Sequence, residues 1–233
     1  MATNRIALVT GANKGIGFET ARQLGQKGFH VLVGARNPDA GNNAVGSLQK
    51  AGISAEFIQI DVTDSERVRH AAKDVATKYD HLDVLVNNAA IMEDDKNVLE
   101  VDEDTVLGTF TTNTLGPLHV TQSFVPLLKK SAHASIINMS SGLGQLNEMG
   151  DTYPAYSISK TALNAVTRQF AAALKEKGIT VNSVCPGWVK TDMGGPNAPR
   201  TVQQGADTVT WLATEAPRDL TGRFLRDRAV IEW

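Results

Sequence analysis

Short runs of consecutive apolar residues recur along the chain, and between them the apolar positions spread out to a spacing of three and four. The runs predict strands at 6–10, 31–33, 57–60, 84–86, 135–139 and 180–184, with a last one around 223–225. The spaced stretches predict helices over 16–26, from about 65 onwards, and over 104–129, 156–175 and 203–214. Ile16, Ala21 and Leu24 are the apolar positions of the first helix, and Thr63-Asp64-Ser65-Glu66 supplies capping residues ahead of the next. Pro117 and Pro126 are expected near irregularities of the long 104–129 helix or its end, and Gly178 closes the 156–175 helix. A strand that is apolar at every position is buried on both faces, so the alternation predicts an α/β fold: a parallel sheet with helices on both sides. One domain over 1–233 is expected. The segment from Gly187 to Arg200, rich in Gly and Pro and without periodicity, is read as a long structureless loop of the kind that closes over a site.

Composition narrows the function classes. A chain of 233 residues with 42% hydrophobic and 21% charged residues can bury the core of one globular α/β domain. The net charge of −2 offers no basic footprint, so neither nucleic acid nor an anionic membrane is expected as a partner. No apolar run is long enough to cross a bilayer, and the N-terminus lacks the charged-then-apolar pattern of a signal. Cys185 is the single cysteine, which excludes an internal disulfide and fits a reducing, cytoplasmic setting; it is read as a buried small hydrophobe. His30, His70, His81, His119 and His133 show no metal-ligand spacing, and no metal is expected.

Chemistry enters first at Thr10-Gly11-Ala12-Asn13-Lys14-Gly15-Ile16-Gly17, between the first strand and the first helix. Glycines there permit a tight turn and close backbone approach, while a helix N-terminus presents free N–H groups to a pyrophosphate. A glycine trio alone is also ordinary turn chemistry; its strand–turn–helix setting is what points to a dinucleotide. The end of the second strand, where an NAD enzyme usually carries an acid for the ribose hydroxyl, reads Val33-Gly34-Ala35-Arg36-Asn37. Arg36 stands there in place of a carboxylate, and with Lys14 of the glycine turn it suits a 2′-phosphate, so NADPH/NADP+ is expected over NAD(H); the plainer alternative is two solvated surface charges. Asp61, ending the third strand, suits the adenine amino group with Val62 against the ring, or else serves as a turn cap. Asn87-Asn88-Ala89-Ala90 ends the fourth strand, where α/β sheets bind ligands.

Tyr156 and Lys160 lie one helical turn apart. A free phenol titrates at about 10 and a free lysine at about 10.4, so both are protonated at neutral pH. A neighbouring cation lowers the phenol, and about three units of lowering needs roughly 4 kcal/mol. Lysine together with a bound cationic ring could supply it and give a general acid/base. Taken alone, the spacing is short enough to be a surface coincidence.

Together these pieces resemble the short-chain dehydrogenase/reductase family, in its single-domain branch, over nearly the whole chain. The motifs are Thr10 to Gly17, Asp61, Asn87 to Ala90, Asn113, Ser140-Ser141, Tyr156 with Lys160, and Pro186-Gly187 followed by Thr191. The resemblance implies a Rossmann-type doubly wound sheet and hydride transfer to a small-molecule carbonyl, or from an alcohol. Tyr156 would be the general acid, and Lys160 would lower its pKa and hold the nicotinamide ribose. Ser141 would bond the substrate oxygen, and Asn113 would hold a relay water linked to Lys160. Gly11, Asn13, Lys14, Gly15, Ile16, Gly17, Arg36, Asp61, Val62, Asn87 and Ala89 would hold one end of the cofactor. Pro186, Gly187, Val189 and Thr191 would hold the other.

Ala90 departs from the family's usual glycine, and Ser141 stands fifteen residues before Tyr156, a longer gap than is common. The 142–155 segment, with Glu148, Met149 and Asp151, is expected to border the substrate, as is the 187–203 loop. Asn13-Lys14, Pro196-Asn197-Ala198-Pro199 and the C-terminal Thr221-Gly222-Arg223-Phe224 stretch look like the carbonyl reductase branch rather than the acyl-carrier-protein reductases. A non-catalytic NADP(H) sensor would be expected to lack Tyr156 or Lys160. The short insertion before Tyr156 favours a homo-dimer or tetramer.

Overall fold

The computed structural model describes residues 5–94 and 96–233. Strands and helices alternate: β1 (Arg5–Thr10), α1 (Gly15–Gln26), β2 (Phe29–Ala35), α2 (Pro38–Lys50), β3 (Ala55–Gln59), α3 (Ser65–Lys78) and β4 (Val84–Asn87). Then come α4 (Glu103–Phe110), α5 (Gly116–Leu128), β5 (Ser135–Met139), α6 (Pro154–Leu174), β6 (Thr180–Val184), α7 (Val202–Thr214), β7 (Phe224–Arg226) and β8 (Ala229–Ile231).

The strands form one sheet in the order β3-β2-β1-β4-β5-β6-β7-β8, parallel throughout except for the antiparallel β7–β8 pair at the edge. Alternate residues feed opposite faces. Leu8, Leu32, Leu85 and Ile136 meet Val68 and Val75 of α3, Val120 and Phe124 of α5, and Ala171 and Leu174 of α6. Ala7, Val9, Val31, Val33 and Val86 meet Leu24 of α1, Leu48 of α2, and Val209 and Leu212 of α7. Both faces are therefore buried, which is why the strands read as largely apolar runs, with buried polar residues such as Asn138 and Asn182 in β5 and β6. The strand order reverses between β1 and β4, and a crevice opens at the carboxyl ends there, where a doubly wound sheet takes a ligand.

Three elements differ from the sequence reading. The long helix over 104–129 is two helices, α4 and α5, joined by a π-helical turn, Thr111–Leu115. Pro117 has no N–H to give the carbonyl of Asn113, and the Gly116 N–H reaches back to Thr111 instead, widening the turn. Helix α2 escapes the periodicity because Gly41, Asn42, Asn43 and Gly46 dilute its buried Ala44, Val45 and Leu48. It is fixed locally, with Pro38 in its first turn and the Asn37 side chain accepting from the Ala40 N–H at 2.9 Å. Strand β8 closes a two-residue hairpin whose turn residues, Asp227 and Arg228, take φ of 51° and 63°. Without glycine or asparagine, this turn carries no sequence signature. Among the described residues, no helix is long and apolar enough to cross a membrane.

Candidate active site

A cavity of about 1580 Å³ opens at the carboxyl ends of β1, β2, β4, β5 and β6. Its floor at one end is the glycine turn. Gly11 and Gly15 take φ of 62° and 59°, and a Cβ on Gly17 would stand 2.4 Å from the carbonyl oxygen of Gly11 and from Nδ2 of Asn88. Asn88 holds this turn, its Nδ2 donating to the carbonyls of Thr10 at 2.9 Å and Gly11 at 3.2 Å. The Thr10 hydroxyl in return accepts from the N–H groups of Asn88 and Ala89. The N-cap residue of α1, Lys14, makes no side-chain cap, and no acid lies in the first turn. The free N–H groups and positive dipole end of α1 therefore meet a surface from which side chains have been cleared, a fit for the pyrophosphate of a dinucleotide.

Asn13, Lys14, Ile16, Arg36, Asp61, Val62 and Ala89 line the same cavity. The Lys14 ammonium lies 2.6 Å from Asp192 of the 187–203 loop. Asp61 Oδ1 accepts from the N–H and hydroxyl of Thr63, so the turn-cap role holds for that oxygen, and the carboxylate still faces the cavity. Asn87 is not brought to the cavity. Its side chain is buried and donates to Thr121 Oγ1 and Asn138 Oδ1, and Asn88 and Ala90 stand on the wall in its place. Among the described residues, no cluster of His, Cys, Asp and Glu could hold a metal ion.

At the other end, Ser141, Tyr156, Lys160 and Cys185 come together. Ser140 is turned inward toward the Lys160 carbonyl, whereas Ser141 caps the 3-10 turn Gly142–Gly144 and accepts from the Leu143 N–H at 3.2 Å. The Tyr156 side chain and the Lys160 side chain are both almost wholly buried, and Lys160 Nζ sits 5.4 Å from the phenol ring centroid while donating to the Met139 carbonyl at 2.7 Å. Burial pushes Tyr156 up to about 12, the Ser141 side chain opposing the rise, and pushes Lys160 down to about 7. The expected lowering of the phenol rests on Lys160 together with a bound cationic ring; among the protein's own groups, desolvation dominates at both side chains and disfavours the charged form of each.

Helix α6 starts with Tyr153 at φ 51° and Pro154 in the first turn, and the Tyr153 side chain makes no cap. Its cap comes from far along the chain. Asp94, in the loop after β4, accepts from the N–H of Ala155 at 2.7 Å and of Tyr156 at 3.0 Å. Asn113 is buried in the π turn rather than on the cavity wall. Its side chain accepts from the Ile91 N–H and donates to the Ile91 carbonyl and to Ser159 Oγ, with no bond to Lys160 itself. It ties the loop after β4 to α6.

Pro186, Gly187, Val189 and Thr191 all line the cavity. Gly187 has φ 75°, and a Cβ there would come 2.5 Å from the Arg200 side chain. The 187–200 stretch, expected to be structureless, folds on itself. Lys190 N–H donates to Arg200 O, Arg200 N–H to Trp188 O, Gly195 N–H to Thr191 O, and the Trp188 indole to Gly194 O. Of the 142–155 segment, Glu148 reaches the rim, whereas Met149 and Asp151 do not. The segment is held from behind: Gln145 Nε2 donates to the Glu232 carbonyl and Leu146 N–H to that of Trp233. Sequence reasoning missed Asp94 and Arg226, which belong to no local pattern. It quoted Asn88 within its motif without selecting it.

The comparisons with known proteins agree with this geometry. A family model described as short chain dehydrogenase matches residues 5–201. Carbonyl reductase [NADPH] 1 of Sus scrofa is 33% identical over 279 aligned positions, covering 100% of this chain and 96% of its own. The structure of the carbonyl reductase Sniffer of D. melanogaster is 32% identical with a TM-score of 0.89, covering 99% of this chain and 100% of that one. The NADPH-bound carbonyl reductase from chicken fatty liver is 29% identical with a TM-score of 0.91, each chain covered at 100%.

Proposed function

The chain belongs to the short-chain dehydrogenase family, and from that premise we propose that it is an NADPH-dependent oxidoreductase that reduces a ketone or aldehyde to an alcohol. The observation that carries the reading is the pairing, within one cavity, of a dinucleotide-shaped glycine turn with Ser141 and the buried Tyr156 and Lys160. NADPH, when bound, supplies the hydride. Arg36 and Lys14 hold its 2′-phosphate, with Lys14 exchanging Asp192 for the phosphate. Ser141 holds the carbonyl oxygen, and Tyr156 donates a proton to it as it gains charge. Burial keeps the phenol protonated at neutral pH, the form a reductase needs of its acid. Lys160, brought down to about 7, can both hold and release a proton near neutral pH, and serves to restore that of Tyr156. Asn113 acts at one remove by fixing Ser159, the residue before Lys160. A single domain carries both ends of the site and works in the cytoplasm. Leu107 of α4 and Ile158 of α6, both exposed, support assembly of copies through these helices.

The test is the initial rate of carbonyl reduction with NADPH and with NADH, for the protein and for Arg36→Asp. We expect kcat/KM with NADPH to exceed that with NADH by about tenfold or more, and R36D to erase most of that ratio. Equal use of both cofactors, unchanged in R36D, would overturn the assignment.

A further inference from the structure

We propose that Arg226 makes the substrate end of the cavity a receptor for an anionic carbonyl compound, one whose carboxylate lies within a ring's breadth of the reacting C=O. The inference rests on the reductase reading and names the class of substrate. Arg226 ends β7, and its guanidinium lies against the backbone of Gly142, the residue after Ser141; a Cβ on Gly142 would come 2.8 Å from Nη2. A side chain at Gly142 would press on the guanidinium where it now stands. Its acceptors there are both neutral and distant: Nε donates to Cys185 Sγ at 3.3 Å and Nη2 to Gln145 Oε1 at 3.4 Å.

The neighbouring arginines are treated differently. Arg228 is held by both oxygens of Asp207, and Arg200 by both oxygens of Asp227, the carboxylate next to Arg226 in sequence. Among the described residues, no carboxylate forms an ion pair with Arg226. Glu93 and Glu148 also border the cavity, and both are exposed at its rim. A half-buried guanidinium with five donors and two weak neutral acceptors keeps a free fork, and a carboxylate matches that fork with two parallel hydrogen bonds. A neutral substrate leaves that fork unfilled, with only the Asp227 carboxylate, hydrogen-bonded to Arg200, near enough among the described residues to offset the charge.

The experiment uses 2-, 3- and 4-carboxybenzaldehyde and their methyl esters, with NADPH, on the wild-type protein, Arg226→Gln and Arg226→Lys. The expected result is that, for at least one ring position, the acid exceeds its ester in kcat/KM by about tenfold or more. R226Q collapses that acid-to-ester ratio, and R226K, which keeps charge without the fork, retains part of it. The ester rate within each variant reports that it is folded, and competitive inhibition of ester reduction by benzoate gives the same reading on the wild-type protein alone. Turnover of the esters with no preference for any acid, or a ratio unaltered in R226Q, overturns this inference by itself. Turnover of none of the six overturns the reductase reading beneath it.

Discussion

Burial acts on Tyr156 and Lys160 in the same sense, against charge, but the two residues meet it differently. The phenol loses nothing by it at neutral pH, since it is protonated either way. The lysine does lose: an unfolded lysine titrates at about 10.4, and the folded one at about 7. Between those values the unfolded chain binds more protons, so stability rises with pH across that window, and the cost is fully present below about pH 7. Lys160→Met removes the buried charge and its pH dependence together. We expect K160M to melt higher than wild type by roughly 5 °C or more at pH 6.5, a few kcal/mol being partly offset by the lost bond to Met139. The gain should shrink by pH 9.5. Thermal melts at the two pH values check this; an equal shift at both, or a loss at pH 6.5, would show that the ammonium is not desolvated as described.

At the scale of elements, the start of α6 shows how a distant residue fixes a local structure. Tyr153 in left-handed geometry cannot cap the helix, and Asp94 does so from the loop after β4, bonding the N–H of Tyr156 itself. Asp94→Ala should cost about 1 kcal/mol of stability, as a lost cap does. Because the freed N–H belongs to Tyr156, kcat should fall severalfold with KM little changed; a stability loss with kcat intact would reduce Asp94 to a plain cap. Nothing in the residues around 94 signals this role, because the partners are 61 and 62 positions away. Elements built from their own pattern were legible by contrast. The strands at 135–139 and 180–184 were read to the residue because Ile136, Ile137 and Met139, and Val181 and Val184, mark them, although the buried Asn138 and Asn182 need side-chain partners there. An irregularity at Pro117 was legible from its missing N–H, but its π form was not, since that also depends on the packing of Gly116 against Val62. Nor was the β7–β8 hairpin, whose turn uses two charged residues at positive φ.

For the whole molecule, the strand order brings the glycine turn after β1 and the chemistry after β5 to the two ends of one crevice. The glycine-turn end was readable in advance because backbone geometry demands glycine at particular positions, and of the residues expected around the cofactor only Asn87 is turned away from the cavity. At the other end Ser141, Tyr156, Lys160 and the 142–155 and 187–203 segments were legible in advance, but Arg226 was not, because it meets Gly142 and Cys185 only through the fold. The central claim is that this crevice reduces a carbonyl with Tyr156 as its acid. The most direct measurement is NADPH oxidation across a panel of aldehydes and ketones by wild type and by Tyr156→Phe, with NADPH binding titrated for both. The account predicts turnover by the wild type and a loss of about 10²- to 10⁴-fold in Y156F while NADPH still binds. Turnover retained in Y156F, or NADPH bound by the wild type with no carbonyl reduced, would contradict it.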